Sequence, residues 1–329
     1  MTRSIDTMVV GAGPVGLVAA LVAARQGRRV ALVGAGPSAE APRIDAVPAP
    51  FLALLLELGV HPVRLGVRDL HDTRLVAWER AEPEVVRGRA MAHIERPALE
   101  KALLGLVERT PGIELIATRA FRLGVSPVII DATGRRAVSA RRIVAPPEPR
   151  IARVFVASGR FGPPAQAFGI AALPDGYAYR LGTDHRIVLG IVGEKAAVRR
   201  PLAEIEGHLR GLGAGWLLAA CRRRGRNDRR EGGVASVQWS EGGTRVLRVG
   251  DAELARDALA SQGLASGVSD ALHVAAGETR PGWARRRQDQ RDTHVGRLRG
   301  LVARCRFHDC PAWSRYADFL NAHAASPAG

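Results

Sequence analysis

A glycine-rich turn near the start of the chain constrains the fold more than any other feature. The sequence Gly11-Ala-Gly-Pro-Val-Gly16 directly follows an apolar strand that we predict at 5–10. A segment rich in Ala, Val and Leu comes next, and it predicts a helix over 14–25 before a second strand at 29–33. Strand, glycine turn and helix in this order indicate a βαβ unit with a dinucleotide site at the turn. A glycine turn in an unrelated α/β unit would show the same pattern.

The residues of this turn have separate roles in such a site. Gly11 permits the tight turn, Gly13 lets backbone amides approach a pyrophosphate, and Gly16 allows close contact between helix and strand. The helix begins at Pro14, so its free N–H groups and the positive end of its dipole would face the phosphates.

A second motif lies far downstream and makes the first more specific. A strand predicted at 246–249 leads into Gly250-Asp251, and Gln262-Gly263 precedes a predicted helix. An aspartate at the end of a strand can accept hydrogen bonds from ribityl hydroxyls. The backbone amides of Gln262 and Gly263 would face the pyrimidine edge of a flavin and stabilise the negative charge of its reduced form. The two motifs together indicate one long cofactor held at both ends, and FAD fits this description best.

The order of the predicted elements indicates an α/β fold. A chain of 329 residues exceeds one typical core, so we expect two packed lobes. Short β-rich runs begin near residue 151, a helix is expected over 201–221, and helices dominate the tail. We predict a Rossmann-like FAD-binding domain with an interleaved antiparallel-sheet substrate domain and a helical C-terminal region. The expected parts are 1–150 (FAD-binding, with an inserted segment near 60–95), 151–240 (substrate domain), 241–280 (FAD-binding, second part) and 281–329 (helical region).

The charge of the chain is strongly positive. The net charge is +16 and almost all of it is arginine, because Lys101 and Lys195 are the only lysines. Such a charge attracts a polyanion or an acidic protein partner, or it reflects an arginine-rich coding bias. Aromatic residues make up 5% of the chain and no compact basic tail is present, so nucleic-acid binding is disfavoured.

The cysteine count and the length of the apolar runs indicate which cellular environment the chain suits. Three cysteines do not make a disulfide framework, which fits a reducing, cytoplasmic environment. Cys305 and Cys310 flank His308, but no second Cys/His pair completes a tetrahedral site, so no metal is expected. No cleavable signal is visible and no apolar run reaches membrane-spanning length, so we expect a soluble protein without membrane contact.

Four landmarks in order along the chain resemble one enzyme family. They are Gly11–Gly16, Arg96 at the start of a helix over 97–108, Asp131-Ala-Thr-Gly134, and Gly250-Asp251 with Ser261-Gln-Gly263. The chain resembles the FAD-dependent aromatic hydroxylases of the p-hydroxybenzoate hydroxylase type, including their halogenase-like branch. The resemblance implies that NAD(P)H transiently reduces FAD and that O₂ then supplies an oxygen atom to an aromatic ring.

The resemblance also implies roles for several further residues. Arg43 and Arg96 are candidates for the pyrophosphate or the flavin edge, with a plain surface charge as the alternative for each. Asp131 and Gly134 are expected to contact FAD, although Asp131 is equally suited to cap a turn. No catalytic residue is assigned.

Three positions depart from the family pattern. Relatives usually carry a glutamate at the end of the second strand that grips the adenosine ribose, and this chain has Gly34 there. The proline of the flavin loop is replaced by Ala258. The stretch 119–127 is too short for the hairpin that usually precedes Asp131. All three bear on how tightly FAD is held.

The remaining motifs narrow the chemistry. The Trp-x-Trp motif and the active-site lysine of flavin halogenases are missing, which disfavours halogenation. Segments 43–62, 176–181 and 311–316 are similar to a branch that hydroxylates tryptophan residues in proteins during the formation of a quinone cofactor. This resemblance implies a peptidyl tryptophan as substrate, in a peptide or protein that the positive charge suggests is acidic. A flavoenzyme acting on a free small aromatic or isoprenoid substrate, and a non-enzymatic basic scaffold of the same fold, remain as alternatives.

Overall fold

A computed structural model describes residues 4–35, 43–67, 69–118, 126–160, 168–218, 228–242, 246–260 and 262–324. Its strands are β1 (Thr7–Val10), β2 (Val30–Val33), β3 (Ile44–Pro48), β4 (His71–Ala77), β5 (Glu84–Glu95), β6 (Ile113–Ile116), β7 (Val128–Asp131), β8 (Arg142–Val144), β9 (Ile151–Ser158), β10 (Phe168–Leu173), β11 (Gly176–Gly182), β12 (Arg186–Gly193), β13 (Asp228–Val234), β14 (Gln238–Glu241) and β15 (Leu247–Arg248). Its α-helices are α1 (Pro14–Arg25), α2 (Ala49–Glu57), α3 (Arg96–Arg109), α4 (Lys195–Val198), α5 (Leu202–Gly211), α6 (Asp251–Leu254), α7 (Gly263–Ala275), α8 (Arg280–Ala303) and α9 (Pro311–Ala322). The described residues do not include 119–125, which form most of the stretch that is too short for the family's hairpin, nor Cys221 and Ser261.

The first sheet contains the dinucleotide-type unit that the sequence predicts. Within the described residues it has the strand order β15-β7-β1-β2-β6, and its paired strands run parallel. Helix α1 packs against α3 and α7, and its Leu17, Val18 and Leu21 are fully buried. A helix that is apolar on nearly every side is stable only when neighbours cover it all round, which explains this central position.

The second sheet draws strands from two distant parts of the chain. Its order is β13-β9-β12-β11-β10-β4-β5-β3 among the described strands; β10 and β4 are parallel, and the other neighbours are antiparallel. Strands β3, β4 and β5 come from residues 44–95, so the chain enters this sheet before it returns to the first one. Together with the helical C-terminal region, this arrangement confirms the predicted α/β fold class.

The helix predicted over 201–221 is shorter in the structure. The helix expected over 201–221 is present only as α5, which ends at Gly211, and a 3₁₀ turn follows at Gly215–Leu218. Gly213 lies between them with φ of +76°, a left-handed conformation that stops a helix and that glycine adopts at no steric cost. Residues 219–221 are outside the described part.

The C-terminal helices pack onto the second sheet through buried aromatic side chains. Trp313 of α9 is fully buried, and its Nε1 donates to the carbonyl oxygen of Leu173 at 2.7 Å. Trp78, directly after β4, donates from Nε1 to the carbonyl oxygen of Leu301 in α8 at 2.8 Å. Of the helices in the described ranges, none combines the length and the apolar character that crossing a membrane requires.

Candidate functional site

The two motifs singled out in the sequence line one cavity. This cavity, which we call the groove, has a volume of about 820 Å³, within the range of roughly 300–1,000 Å³ that is usual for ligand sites. It lies between the two sheets, because residues of β9 to β12 form part of its wall. The residues predicted from the sequence that line it are Gly13, Pro14, Arg43, Arg96, Gly134, Asp251, Gln262 and Gly263.

The glycine turn forms one end of the groove. Gly11 has φ of +109°, and a Cβ added to it would lie 2.3 Å from the carbonyl oxygen of Ala132. A Cβ added to Gly16 would lie 1.8 Å from the carbonyl oxygen of Gly11. These two glycines therefore allow the close packing of turn, helix and strand, and they do not line the groove wall.

Gly13, unlike Gly11 and Gly16, has free space in front of it. A Cβ added there would meet no atom of the described chain within 4 Å, so open space of the groove lies in front of this residue. Gly13 is also the N-cap of α1, and no side chain in the described part caps the helix there. The first-turn N–H groups are thus left for a ligand, and the residues present fit a dinucleotide pyrophosphate.

The structure gives a physical account of Gly34. A Cβ at this position would lie 2.7 Å from the backbone nitrogen and 2.9 Å from the Cβ of Ala12. The glycine turn therefore occupies the space that the glutamate expected from the resemblance would need.

The downstream motif forms the other end of the groove. Asp251 begins the short helix α6, and a Cβ added to Gly263 would lie 3.7 Å from its Oδ1. Gln262 is the N-cap residue of α7, and no described side chain caps that helix. Its own Oε1 accepts a hydrogen bond from Nη1 of Arg297 at 3.1 Å. The carboxylate and the first-turn amides of α7 are thus adjacent on one wall.

Arg96 is held by a partner that the sequence does not indicate. Its Nε and Nη2 donate to the two carboxylate oxygens of Asp45 at 2.6 and 3.0 Å, and both side chains are largely buried. Burial by itself raises the pKa of Asp45, but the charges of Arg96 and Arg43 outweigh it and hold the pKa below its ordinary value. Arg43 lies 3.6 Å from Asp45, with 66% of its side chain exposed. Contacts of either arginine with FAD remain predictions.

Asp131 caps the turn that follows β7. Its Oδ1 accepts from the backbone nitrogen and hydroxyl of Thr133 at 2.9 and 2.6 Å, and its Oδ2 accepts from the same two groups of Ser139 at 2.9 and 2.7 Å. Turn capping is one of the two roles expected from the sequence, and a direct FAD contact stays a prediction. Gly134 begins the next 3₁₀ turn with φ of +64° and reaches the groove wall.

A second, larger cavity adjoins the groove. It has a volume of about 1380 Å³, lies against β4, β5, α7 and α8, and we call it the cleft. Its wall includes two acidic residues, Glu278 and Asp289, and seven arginines: Arg74, Arg89, Arg256, Arg285, Arg286, Arg297 and Arg304. The cleft and the groove share the wall residues Ala46, Phe168, Ile170, Arg256 and Gln262. A ligand in the cleft would therefore lie next to one in the groove.

Several residues of these walls were not predicted from the sequence as site residues. Asp45, Arg135, Tyr177 and Asp257 line the groove, and Arg256 lines both cavities. Each is brought there by pairing or packing between segments far apart in the chain. Local sequence signals exist for two of them: Asp257 immediately precedes the flavin-loop position Ala258, and Arg135 immediately follows Gly134 in the third landmark.

The cleft contains a histidine whose protonation is unfavourable. Burial, the charge of Arg256 and, less strongly, that of Arg297 lower the pKa of His294 from 6.5 to about 4, although Asp257 opposes the shift. The neutral ring accepts a hydrogen bond at Nε2 from the backbone nitrogen of Asp257 at 3.2 Å.

We expect this histidine to make the protein less stable in mild acid. Between pH 6.5 and about 4 the unfolded state binds the proton and the folded state does not, so stability is full above this window and falls as the pH is lowered through it. The loss is on the order of 3 kcal/mol. Urea unfolding of the wild type and of His294→Gln, which keeps a hydrogen-bond acceptor, would measure it. An equal pH dependence in both proteins would contradict the prediction.

Comparisons with known proteins give one partial sequence match and several matches in fold. No protein-family model matches the chain. A curated kynurenine 3-monooxygenase of Aspergillus clavatus is 32% identical over 130 residues, which cover 33% of this chain and 25% of that protein. The chain thus matches only a quarter of the length of that relative.

Solved structures show the fold more fully. A peptidyl tryptophan dihydroxylase, QhpG, described as essential for tryptophylquinone cofactor biogenesis, is 20% identical with a TM-score of 0.72, covering 95% of this chain and 78% of that one. Pseudomonas aeruginosa PqsL in complex with 2-aminobenzoylacetate is 17% identical with a TM-score of 0.72, covering 97% and 100%. The myxobacterial chondrochloren halogenase CndH is 18% identical with a TM-score of 0.73, covering 94% and 85%. The chain has the fold of FAD-dependent monooxygenases and halogenases, which confirms at the level of fold the resemblance found in the sequence.

Proposed function

We propose that the chain is an FAD-dependent monooxygenase that hydroxylates an aromatic ring. The observation that carries this proposal is the groove lined by both the glycine turn and the Asp251–Gly263 wall, next to a second cavity large enough for a substrate. The shared fold and the partial match to kynurenine 3-monooxygenase support the same reaction class.

The residues of the groove suit the parts of FAD. The first-turn amides of α1, reached past Gly13, would hold the pyrophosphate. Asp251 would accept hydrogen bonds from the ribityl hydroxyls, and the amides at Gln262 and Gly263 would donate to the pyrimidine edge. When bound, FAD supplies the redox chemistry by taking a hydride from NAD(P)H and using O₂ to oxygenate the ring.

The shared wall of the two cavities suits the aromatic ring of the substrate. Phe168 and Ile170 of β10 are apolar and lie where groove and cleft meet. An aromatic ring packed there would be close to the flavin and shielded from water, which is the positioning that oxygen transfer requires. An electron-rich indole needs less help from a base than a phenol does.

The cleft favours a tryptophan within an acidic polypeptide as substrate. Its volume exceeds the usual range for small-molecule sites, and its wall carries seven arginines against two acidic residues. Two of these arginines are paired within the chain, Arg286 with Glu278 and Arg304 with Glu79, so part of the charge is compensated. The QhpG neighbour, named for action on peptidyl tryptophan, supports this choice.

A free small aromatic compound is the second candidate substrate. The PqsL neighbour was solved with 2-aminobenzoylacetate, and the curated relative is a kynurenine 3-monooxygenase. Each of these names points to a compound smaller than a peptide.

An absorbance titration followed by mass spectrometry tests the proposal. We expect the purified protein to bind added FAD and to show the absorbance of a protein-bound flavin. With NADH or NADPH and O₂, an acidic peptide containing tryptophan should gain one or two oxygen atoms. The same peptide with phenylalanine in place of tryptophan, and a tryptophan peptide with neutralised acidic residues, are the matched controls.

Each negative outcome of this experiment has a definite meaning. Oxidation of free aromatic compounds alone would favour the second candidate. Failure to bind FAD at all would reject the enzyme and favour a scaffold that acts through its basic surface.

A further inference from the structure

The loop between α6 and α7 contains a buried carboxylate at the groove wall, that of Asp257. Asp257 is 1% exposed. Its Oδ2 accepts a hydrogen bond from the hydroxyl of Tyr316 in α9 at 2.6 Å, and its Oδ1 accepts one from the hydroxyl of Tyr177 in β11 at 3.1 Å. Oδ1 also accepts from the backbone nitrogen of Leu259 at 2.9 Å. The second sheet and the C-terminal helix therefore meet at this one residue of the loop.

The backbone of the same loop is held at two more points. The nitrogen of Asp257 donates to Nε2 of His294 in α8 at 3.2 Å, and the nitrogen of Ala258 donates to the carbonyl oxygen of Ala235 at 3.1 Å. A proline at position 258 has no N–H and would lose the second bond. The bond from the Ala258 nitrogen is therefore a contact that this chain makes and that a proline at this position would not allow.

Both tyrosines are suited to act as permanent donors. Burial and the neighbouring charge of Asp257 raise the pKa of Tyr177 and of Tyr316 well above the ordinary value, so each hydroxyl keeps its proton. Hydrogen bonds to a charged, buried carboxylate are among the strongest in proteins. The guanidinium of Arg150 lies 4.1 Å from the ring centre of Tyr316 and 3.9 Å from that of Trp313, which adds a positive charge nearby.

The loop leads directly into the wall that we assign to the flavin. Five residues separate Asp257 from Gly263, and Ala258, Gln262 and Gly263 all line the groove. Fixing the loop at 257–259 would therefore help to set the position of the first-turn amides of α7, together with the core packing of that helix.

We propose that Asp257 is a positioning residue, fixed by Tyr316 and Tyr177, that holds the loop so that the amides at the start of α7 face the flavin. This inference rests on the proposed function. It makes the C-terminal helix α9 part of the cofactor site, although α9 itself does not line the groove among the described residues. Those amides stabilise the negative charge of reduced flavin, so a loosened loop should weaken FAD binding and make reduction less favourable.

The test compares Tyr316→Phe, Tyr177→Phe and the double variant with Phe319→Leu. Phe319 is a buried residue of the same helix, so its variant reproduces a general loosening of α9 without touching Asp257. We expect the Kd for FAD to rise roughly tenfold in Tyr316→Phe, and the reduction potential of the bound flavin to become more negative. Amide hydrogen exchange of the FAD-free protein should show faster exchange at Leu259 in the tyrosine variants than in Phe319→Leu.

The outcomes separate this inference from the function on which it rests. If the double variant changes the Kd, the potential and the exchange at Leu259 no more than Phe319→Leu does, the tyrosines serve only the packing of α9 and the inference is overturned. If the wild-type protein itself fails to bind FAD, the proposed function fails first.

Discussion

Replacing Gly16 with alanine is expected to lower the free energy of unfolding by at least about 3 kcal/mol. The added Cβ would lie 1.8 Å from the carbonyl oxygen and 2.9 Å from the carbonyl carbon of Gly11, both backbone atoms that cannot rotate away. Helix α1 would have to move off the turn, and the packing of the first sheet would move with it. Chemical unfolding monitored by circular dichroism measures the loss.

Gly13→Ala is the matched control for that substitution. The same methyl group, three residues earlier, meets no described atom within 4 Å, and φ of −79° suits any residue. We expect its stability to stay within about 0.5 kcal/mol of the wild type. A similar loss of stability in both variants would contradict the account of Gly16.

The larger variant Gly13→Val separates folding from cofactor binding. Its side chain would project into the groove and block the approach of an anion to the first turn of α1. An anion at such a helix end gains up to about 2 kcal/mol, so we expect FAD affinity to fall by up to roughly 30-fold while the fold persists. Unchanged FAD affinity would contradict the placement of the pyrophosphate.

Arg96→Met is the second variant with a large expected effect. It leaves the buried carboxylate of Asp45 without its two-point partner, and breaking a buried ion pair in this way costs about 3–5 kcal/mol. Because Arg96 and Arg43 hold the pKa of Asp45 low, the stabilisation is present above the ordinary pKa of 3.8 and is lost as the pH falls through the lowered value. The difference between wild type and variant should therefore shrink in strong acid.

A double variant provides the control for this pair. Arg96→Met combined with Asp45→Asn removes the uncompensated charge, so much of the lost stability should return. If the double variant loses as much free energy of unfolding as the two single variants lose together, the two side chains are not coupled and the interpretation is wrong. FAD titration of the same proteins would show whether Arg96 also contacts the cofactor.

Sequence patterns within one short segment predicted those helices whose start, end and buried face are all determined by that segment. Helix α1 has the predicted bounds 14–25 because its apolar composition, its proline start and its glycine stop lie within one short window. The meeting of the two distant motifs was also predictable. Both follow strands of one parallel sheet, β1 and β15, and the carboxyl ends of parallel strands lie at the same edge.

Contacts that depend on strand register or on helix packing could not be predicted in the same way. Asp45 meets Arg96 because β3 pairs with β5 in the register that places Ile44 opposite Glu95. Tyr316 meets Asp257 across 59 positions of sequence and Tyr177 meets it across 80. No periodicity within one segment encodes such distances, so these residues of the site emerge only from the folded chain.

The close contact between Gly34 and Ala12 limits how this protein can be re-engineered. An acidic side chain at position 34 cannot be installed by one substitution. Adding Ala12→Gly would remove only the contact with the Ala12 Cβ, and the backbone nitrogen of residue 12 would still lie 2.7 Å from the new Cβ at position 34. Moving that nitrogen would disturb the adjoining turn, where no space is left for a Cβ between Gly16 and the carbonyl of Gly11. Tighter binding at the adenosine end of a dinucleotide must therefore be designed from side chains outside this turn.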